Sequence, residues 1–287
     1  MNTIKFCKFH GFGNDYIVIE RSAIPMDFSL PDLAKKICSR NRGVGSDGIA
    51  VIEKLDQIDG ETADFSCEIV NPDGSIAGFS GNGTRCAVAY LYYKQLWSLP
   101  ELKLRTRSGI KNFSLIERLS EGHYWFEAEI GRPRFASDEV PFNAETYSEA
   151  IIDREITLGD QSFRVSGVNV GNPVACIFVE EFDPEWRRIG RELESHEAFP
   201  EKANIVFVKV QDRENIELRI WERGAGETSA SGTCSSGAAV LSAFTGRTDR
   251  TVSVLSEGGT SEVYWRHDDE ILLTGRADFA FCGDWPL

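Results

Sequence analysis

The sequence predicts an α+β fold made of two similar halves, and three observations support this prediction. Short β-branched runs outnumber long helical patterns along the 287 residues. A unit of strand, glycine-containing turn and helix occurs twice in the chain. The segment Gly131-Arg132-Pro133 interrupts the pattern near the middle of the chain, as glycine and proline do at boundaries. Hydrophobic residues make up 41% of the sequence, which is enough for a substantial core.

The repeat is clearest around two polar motifs that open predicted helices. Ser80-Gly81-Asn82-Gly83 follows a strand that ends near Asn71, and Ser231-Gly232-Thr233-Cys234 follows a strand that ends near Glu222. The two strand ends and the two serines are both 151 positions apart. Two weaker matches precede them in the same order. The segment from Gly13 matches that from Gly171 at an offset of 158, and the segment from Gly48 matches that from Asn204 at an offset of 156. We therefore predict a duplicated domain.

Hydrophobic patterning places the main elements of each half. The predicted helices are Pro31 to Ser39, Thr84 to Leu96, Pro184 to Leu193 and Ser235 to Thr245. The predicted strands include Ile17 to Ile19, Ile49 to Ile52, Val206 to Val210 and Val252 to Leu255. We predict domains at residues 1–130, completed by residues 275–287, and at residues 131–274.

Charge and composition exclude several classes of function. The net charge of −14 argues against nucleic acid, because phosphate binding needs clustered Lys and Arg. The four histidines show no spacing typical of a metal site. The first residues do not resemble a signal peptide, and no apolar run approaches the ~18–20 residues of a membrane helix. The seven cysteines are odd in number and include no CxxC pair, so we expect buried free thiols in a cytoplasmic, soluble protein.

The two glycine turns are typical of sites for a small anion. Glycine lets a ligand approach the backbone closely, and the first N–H groups of a helix attract an anion. Two such turns on one carboxylate would stabilise the negative charge that develops when the α-proton of an amino acid is removed. One base on each face of the α-carbon would complete such a reaction. Each serine motif, taken alone, also fits a simple helix N-cap.

Several motifs resemble those of the diaminopimelate epimerase family, in order along nearly the whole chain. They are Phe9-His10-Gly11-Phe12-Gly13-Asn14-Asp15-Tyr16, Asn71-Pro72-Asp73-Gly74-Ser75, Ser80-Gly81-Asn82-Gly83-Thr84-Arg85-Cys86, Gly171-Asn172-Pro173, Glu222-Arg223-Gly224-Ala225-Gly226-Glu227-Thr228 and Leu273-Thr274-Gly275-Arg276-Ala277. The resemblance implies two pseudo-symmetric domains, each a β-barrel-like sheet around a central helix, with the active site in the cleft between them. It also implies interconversion of LL- and meso-diaminopimelate for lysine and peptidoglycan precursor biosynthesis, without pyridoxal phosphate or metal. Family members often pair, so a homodimer is expected.

The resemblance also assigns roles to residues. Ser80 and Ser231 align with the two catalytic positions, and Glu222 matches an acid that supports catalysis. Substrate-contacting residues are matched by Asn14, Asn71, Asn172, Asn204 and Arg223, and Arg223 would hold a distal carboxylate in two hydrogen bonds. The backbone donors to the reacting carboxylate match Gly81, Asn82, Gly232 and Thr233. The implied ligand is thus a small amino acid.

Three departures from the family pattern involve four positions. Both catalytic positions carry cysteine in the family, whereas this chain has Ser80 and Ser231, and a serine alcohol is much harder to ionise than a thiol. A histidine expected after Gly171-Asn172-Pro173 is Val174, and a glutamine found in some members is Gly48.

These departures leave two alternatives open. One is a different proton-transfer isomerase on the same scaffold, using Glu222 or Asp47. The other is a substrate-binding form without a base, arising from a natural or engineered change of cysteine to serine.

Overall fold

The computed structural model describes residues 3–55, 63–144 and 146–287. The chain forms two compact units, Met1–Glu129 with Thr274–Leu287, and Ile130–Leu273. We call them the N-terminal and C-terminal units. Among the described residues, no helix combines the length and apolar character needed to cross a membrane.

Strands provide most of the regular structure. They are β1 (Thr3–Gly11), β2 (Asn14–Glu20), β3 (Ile49–Lys54), β4 (Phe65–Val70), β5 (Ile76–Ala77), β6 (Glu101–Thr106), β7 (Gly109–Ser120), β8 (His123–Gly131), β9 (Ile151–Leu158), β10 (Gln161–Asn169), β11 (Pro173–Phe178), β12 (Asn204–Val210), β13 (Asn215–Glu222), β14 (Gly226–Glu227), β15 (Thr251–Ser256), β16 (Gly259–Trp265) and β17 (Ile271–Pro286). The helices are α1 (Leu30–Ile37), α2 (Gly81–Tyr93), α3 (Trp186–Glu194) and α4 (Gly232–Phe244), with a 3₁₀ turn at Arg21–Ala23.

In the N-terminal unit the sheet closes on itself. Hydrogen bonds connect β17, β1, β2, β3, β4, β6, β7 and β8 in that order, and β8 pairs again with β17. The pairs β2–β3 and β4–β6 are parallel. A closed sheet leaves no unpaired edge strand, and its interior must be filled by side chains.

Helix α2 fills that interior. It packs on β1, β2, β3 and β4, and every residue from Asn82 to Tyr92 is buried. A helix surrounded by a core has no polar face, which explains its run of alanine, valine, leucine and tyrosine. Helix α1 is different, because it buries only Leu33, Ala34 and Ile37 and lies outside the sheet on a separate apolar cluster.

The C-terminal unit repeats this arrangement. Its strands connect in the order β9, β10, β11, β12, β13, β15 and β16, and the pairs β11–β12 and β13–β15 are parallel, as are their counterparts in the first unit. Helix α4 contacts β10, β11, β12, β13, β15 and β16, and is buried from Thr233 to Ser242. The matching pattern of parallel and antiparallel pairs confirms the predicted two-domain fold.

The predicted helices exist, but the starts of two were placed too late. Helices α2 and α4 begin at Gly81 and Gly232, three residues before the predicted starts at Thr84 and Ser235. Glycine has low helix propensity, so the sequence pattern predicts a later helix start. In the structure, burial of each helix inside a sheet outweighs the unfavourable helix propensity of glycine. Helix α2 ends at Tyr93 instead of Leu96, and Gln95, two residues later, adopts a left-handed conformation with φ 56°.

The expectation that all cysteines are free thiols was wrong for two of them. Cys7 and Cys282 face each other across the antiparallel pair β1–β17 and form a disulfide. Sequence spacing could not reveal this pair, because 275 residues separate the two positions. Cys38, Cys67, Cys86, Cys176 and Cys234 are free and buried, as expected.

Candidate active site

Ser80 occupies the N-cap of α2 with an extended backbone (φ −137°, ψ 117°). Its Oγ accepts a hydrogen bond from the N–H of Gly83 at 3.1 Å and lies 2.9 Å from the hydroxyl oxygen of Tyr16. The N–H groups of Gly81 and Asn82 precede the first intrahelical bond, which Thr84 makes to the Ser80 carbonyl at 2.9 Å. The opening of α2 therefore combines a half-buried hydroxyl with two backbone donors at the positive end of a helix.

A chain of side-chain amides leads from this opening into the unit. Arg85 Nη1 donates to Asn82 Oδ1 at 3.0 Å, Asn82 Nδ2 donates to Asn14 Oδ1 at 3.1 Å, and Asn14 Nδ2 donates to Asp47 Oδ2 at 2.7 Å. Each amide is oriented by a charged group at one end of the chain. Asn14 and Asn82, which sequence analysis matched to substrate contacts, are thus held as a pair.

Arg85 is the buried end of that chain. It is 1% exposed, and burial lowers the pKa of its guanidinium to about 10. Two motif glycines make room for Arg85 and for its partner Asn82. A Cβ at Gly275 would lie 2.7 Å from Arg85 Nη1, and a Cβ at Gly11 would lie 3.0 Å from Asn82 Oδ1. The glycines of the first and last family motifs therefore serve the packing around Arg85 and Asn82.

Asp47 is the outer end of the chain, and its carboxylate is already occupied. Besides Asn14, it accepts the backbone N–H of Asp15 at 3.0 Å and Arg40 Nη2 at 2.7 Å. Asp15 in turn pairs with Lys8 at 2.6 Å and with Arg40 at 3.0 Å. Burial raises the pKa of Asp15, but the hydrogen bonds from Lys8 and Arg40 outweigh it and hold that pKa below its usual range. Asp47 therefore acts as an anchor of the strand β2.

Ser231 occupies the corresponding N-cap of α4, with nearly the same backbone (φ −145°, ψ 122°). Its side chain does not cap the helix; Oγ lies 3.5 Å from Thr233 Oγ1 instead. The first intrahelical bond is that of Ser235 to the Ser231 carbonyl at 2.9 Å. The N–H groups of Gly232 and Thr233, the predicted donors, precede this bond and point out of the helix end.

Asn204 and Arg223 are joined within the C-terminal unit. Asn204 is 4% exposed; its Oδ1 accepts the backbone N–H of Arg223 at 2.9 Å, and its Nδ2 donates to the carbonyl of Pro173 at 3.2 Å. The exposed guanidinium of Arg223 donates to the carbonyl of Glu201 at 2.9 Å. Asn204 therefore connects the Gly171-Asn172-Pro173 segment to the loop that carries Arg223.

Glu222 is the last residue of β13, and Asn71 directly follows the last residue of β4. Glu222 ends β13 and accepts a hydrogen bond from Thr228 Oγ1 at 2.7 Å. Asn71 begins a tight turn, in which its Nδ2 donates to Ser75 Oγ at 2.9 Å and Gly74 has a left-handed backbone with φ 86°. Asn172 is half-buried directly before β11.

The thiols next to the openings are unsuited to proton transfer. Cys86 and Cys234 are 0% exposed, and burial raises the pKa of both well above its usual value. The charge of Glu222 raises the pKa of Cys234 further. Val174, at the position of the expected histidine, is also 0% exposed and packs against Gly237.

Sequence analysis missed one acid that organises the C-terminal unit. Glu194, at the end of α3, accepts hydrogen bonds from Trp221 Nε1 at 2.9 Å and from the backbone N–H of Gly224 at 3.1 Å, and Lys202 lies 3.3 Å away. Burial raises the pKa of Glu194, but these three donors outweigh it and lower that pKa. Glu194 carries no sequence signal, because it looks like any acid on an amphipathic helix.

Comparison with known proteins agrees with this architecture. The family model described as diaminopimelate epimerase matches residues 6–135 and 166–280. A diaminopimelate epimerase of Caldanaerobacter subterraneus subsp. tengcongensis is 36% identical, with 98% of this chain and 99% of the relative aligned. One of Moorella thermoacetica is 35% identical, with 98% and 99% aligned.

Solved structures share the fold at low sequence identity. A phenazine biosynthesis protein of the PhzF family from Bacillus anthracis has a TM-score of 0.69 at 16% identity, covering 100% of both chains. A hydroxyproline epimerase from Agrobacterium vitis has a TM-score of 0.67 at 16% identity, covering 99% of this chain and 91% of that one.

Proposed function

Because the chain belongs to the diaminopimelate epimerase family, we propose that it interconverts LL- and meso-diaminopimelate. The reaction removes the α-proton of an amino acid from one face and returns a proton to the other. In the cell this step would serve lysine and peptidoglycan precursor biosynthesis. We place the protein in the cytoplasm and expect it to work as a homodimer, without pyridoxal phosphate or metal.

One observation carries this proposal: each unit contains a buried 13-residue helix that starts directly after a serine. The two helices begin 151 positions apart, at Gly81 and Gly232, and in both the first backbone N–H groups precede the first intrahelical bond. Preorganised donors of this kind stabilise an enediolate-like carbanion by roughly 3–4 kcal/mol each. Ser80 and Ser231 stand beside these donors and are the groups we assign to proton transfer.

The other predicted site residues serve binding. We assign the backbone N–H groups of Gly81, Asn82, Gly232 and Thr233 to the reacting carboxylate. The distal amino acid group of the substrate would meet Asn14, Asn71, Asn172, Asn204 and Arg223. Glu222, at the end of β13, supports catalysis and meets the distal amine. The amide chain from Arg85 to Asp47 supports this assignment, because it fixes which atoms of Asn14 and Asn82 are donors.

A second function has support from the serines themselves. The buried thiols Cys86 and Cys234 cannot replace the missing bases, and the carboxylate of Asp47 already accepts three hydrogen bonds. A protein that binds the amino acid but does not turn it over would have a site with these residues. Occupation of Asp47 also argues against a different isomerase that uses this acid.

Solvent deuterium distinguishes these functions. The purified protein is incubated with LL-diaminopimelate in D₂O, and loss of the α-proton signal is followed by NMR with chiral chromatography of the product. We expect deuterium at the α-carbon and formation of the meso isomer. A double variant, Ser80→Ala with Ser231→Ala, is the matched control and should lose exchange.

Two outcomes would contradict the epimerase. Calorimetric binding of diaminopimelate without exchange would identify the binding function. Neither binding nor exchange with any diamino acid would reject both assignments.

A further inference from the structure

A buried tyrosine lies against the reacting position of the N-terminal unit. Tyr16 on β2 is 6% exposed, and its hydroxyl oxygen is 2.9 Å from Oγ of Ser80. Ser80 Oγ also accepts the N–H of Gly83 at 3.1 Å, and either hydroxyl can be the donor in its contact with Tyr16. The serine therefore stands between a phenol inside the unit and the half-buried opening of α2.

Two glycines fix the ring of Tyr16 in this place. A Cβ at Gly48 would lie 2.8 Å from Cε1 of Tyr16, and a Cβ at Gly83 would lie 2.9 Å from the same atom. These distances are shorter than ordinary carbon contacts, so only glycine at both positions leaves room for the ring. Gly48 is also the position where the family resemblance implies a glutamine in some members. The loss of that side chain and the position of the tyrosine ring are thus compatible with each other.

Among the described residues of the C-terminal unit, no phenol is hydrogen-bonded to Ser231. The repeat offset of 158 pairs Tyr16 with Val174, which is 0% exposed. A Cβ added at Gly237 would lie 2.9 Å from Cβ of Val174, so the two residues are in close contact. The hydroxyl of Ser231 is near Thr233 instead, at 3.5 Å. The two serines therefore have different hydrogen-bonding environments.

We propose that Tyr16 is a positioning residue that relays protons through Ser80. The inference rests on the proposed epimerase function. A phenol is a stronger acid than an aliphatic alcohol and ionises near pH 10 when unperturbed, so it supplies acidity that a serine lacks. The close contact of the two hydroxyls allows them to act as one acid–base pair.

The relay conserves protons and electrons. In the delivery step, the O–H bond of Ser80 breaks as its proton bonds to the α-carbanion, whose electron pair becomes the new C–H bond. The O–H bond of Tyr16 breaks at the same time, its proton bonds to Oγ of Ser80, and a phenolate remains. Removal of the α-proton on that face is the reverse of these steps.

The first test compares two tyrosine-to-phenylalanine variants. Tyr16→Phe removes the relay. Tyr90→Phe is the control, because it removes the hydroxyl of a different buried tyrosine, which lies on α2 and donates to Glu20 at 2.8 Å. We expect Tyr16→Phe to lower kcat roughly 10²-fold, a typical size for general acid–base catalysis, with KM within about twofold. Tyr90→Phe should leave both parameters unchanged. An unchanged kcat in Tyr16→Phe would overturn the relay.

A second background separates relay from packing. A thiol ionises more readily than a serine alcohol, so Ser80→Cys should no longer depend on the phenol. In that background we expect Tyr16→Phe to lower kcat less than about threefold. The same substitution in the protein with Ser80 should cause the much larger loss. An equal loss in both backgrounds would assign Tyr16 a purely structural role and overturn the relay.

A ligand-free measurement tests the contact itself. With ¹³Cζ-labelled tyrosine, the Tyr16 resonance should move in Ser80→Ala, and the Tyr90 resonance should stay in place. No movement of the Tyr16 resonance would overturn the hydroxyl pair.

Failure of the relay is distinguishable from failure of the proposed function. Normal α-deuterium exchange with an unaffected Tyr16→Phe variant overturns only the relay. Absence of exchange in the unmodified protein with every diamino acid overturns both.

Discussion

The openings of α2 and α4 share a backbone but differ in what their serine side chains do. The φ and ψ angles of Ser80 and Ser231 agree within about ten degrees. Ser80 caps its helix and contacts a phenol, whereas Ser231 does neither. Duplication has kept the path of the chain, where burial inside a sheet leaves little freedom. The side-chain environments have diverged, and chemistry depends on these environments.

The largest expected effect comes from restoring thiols at the two openings. Ser80→Cys with Ser231→Cys should raise kcat by about 10²-fold or more, because a thiol can be tuned to a thiolate base. The single variants should be unequal. Ser231→Cys should give the larger gain, because Ser231 has no phenol to assist it. Steady-state epimerisation kinetics check this, and equal single gains would remove the proposed asymmetry.

The next effect concerns the loops beside the openings. Removing Glu194 leaves Trp221 Nε1 and the N–H of Gly224 without their acceptor, so Glu194→Ala should lower the free energy of unfolding by ~2–4 kcal/mol. Glu192 lies on the same helix and pairs with Arg188 at the surface, so Glu192→Ala should cost less than ~1 kcal/mol. Urea unfolding measures both, and similar losses would mean that Glu194 is not an anchor.

A smaller effect on stability is expected from the difference in helix capping between Ser80 and Ser231. Ser80→Ala removes the acceptor for the N–H of Gly83 and should cost about 1 kcal/mol of unfolding free energy. Ser231→Ala removes no cap and should change stability by less than ~0.5 kcal/mol. Denaturant melts of the two variants provide the comparison. A greater loss in Ser231→Ala would contradict the assignment of the cap.

The smallest effect is a pH dependence of stability. Asp15 and Glu194 both have pKa values below their usual 3.8 and 4.5, so each stabilises the fold fully above that value. That stability is lost as the pH falls through the lowered folded-state pKa. Unfolding midpoints measured from pH 6 to pH 2 should therefore fall less steeply in Asp15→Asn or Glu194→Gln. An unchanged slope in both would show that the acids do not contribute.

Sequence alone predicted the duplication and the openings because both rest on local patterns. The sequence itself shows the strand periodicity, the two glycine turns and the ordered repeat offsets of 158, 156 and 151 residues. The structure then located Ser80 and Ser231 at the helix N-caps, as the simple interpretation of each motif also predicted. The convergence of both openings on one carboxylate stays a prediction.

What sequence could not predict depends on contacts between distant residues. Tyr16 and Ser80 are 64 positions apart, and Glu194 and Trp221 are 27 apart. Neither pair follows a helical or strand period, so no motif indicates it. The sequence does not indicate that Arg85 is buried, because a fully buried guanidinium is rare and its burial follows from the closed sheet around α2.

The position of β17 also sets an order of events during synthesis. The C-terminal unit is one continuous stretch, Ile130–Leu273, and can fold as soon as it leaves the ribosome. The N-terminal sheet needs Thr274–Leu287 to join β1 to β8, although most of its strands are made first. The half that is translated first therefore cannot close its sheet until the last strand of the chain has been made.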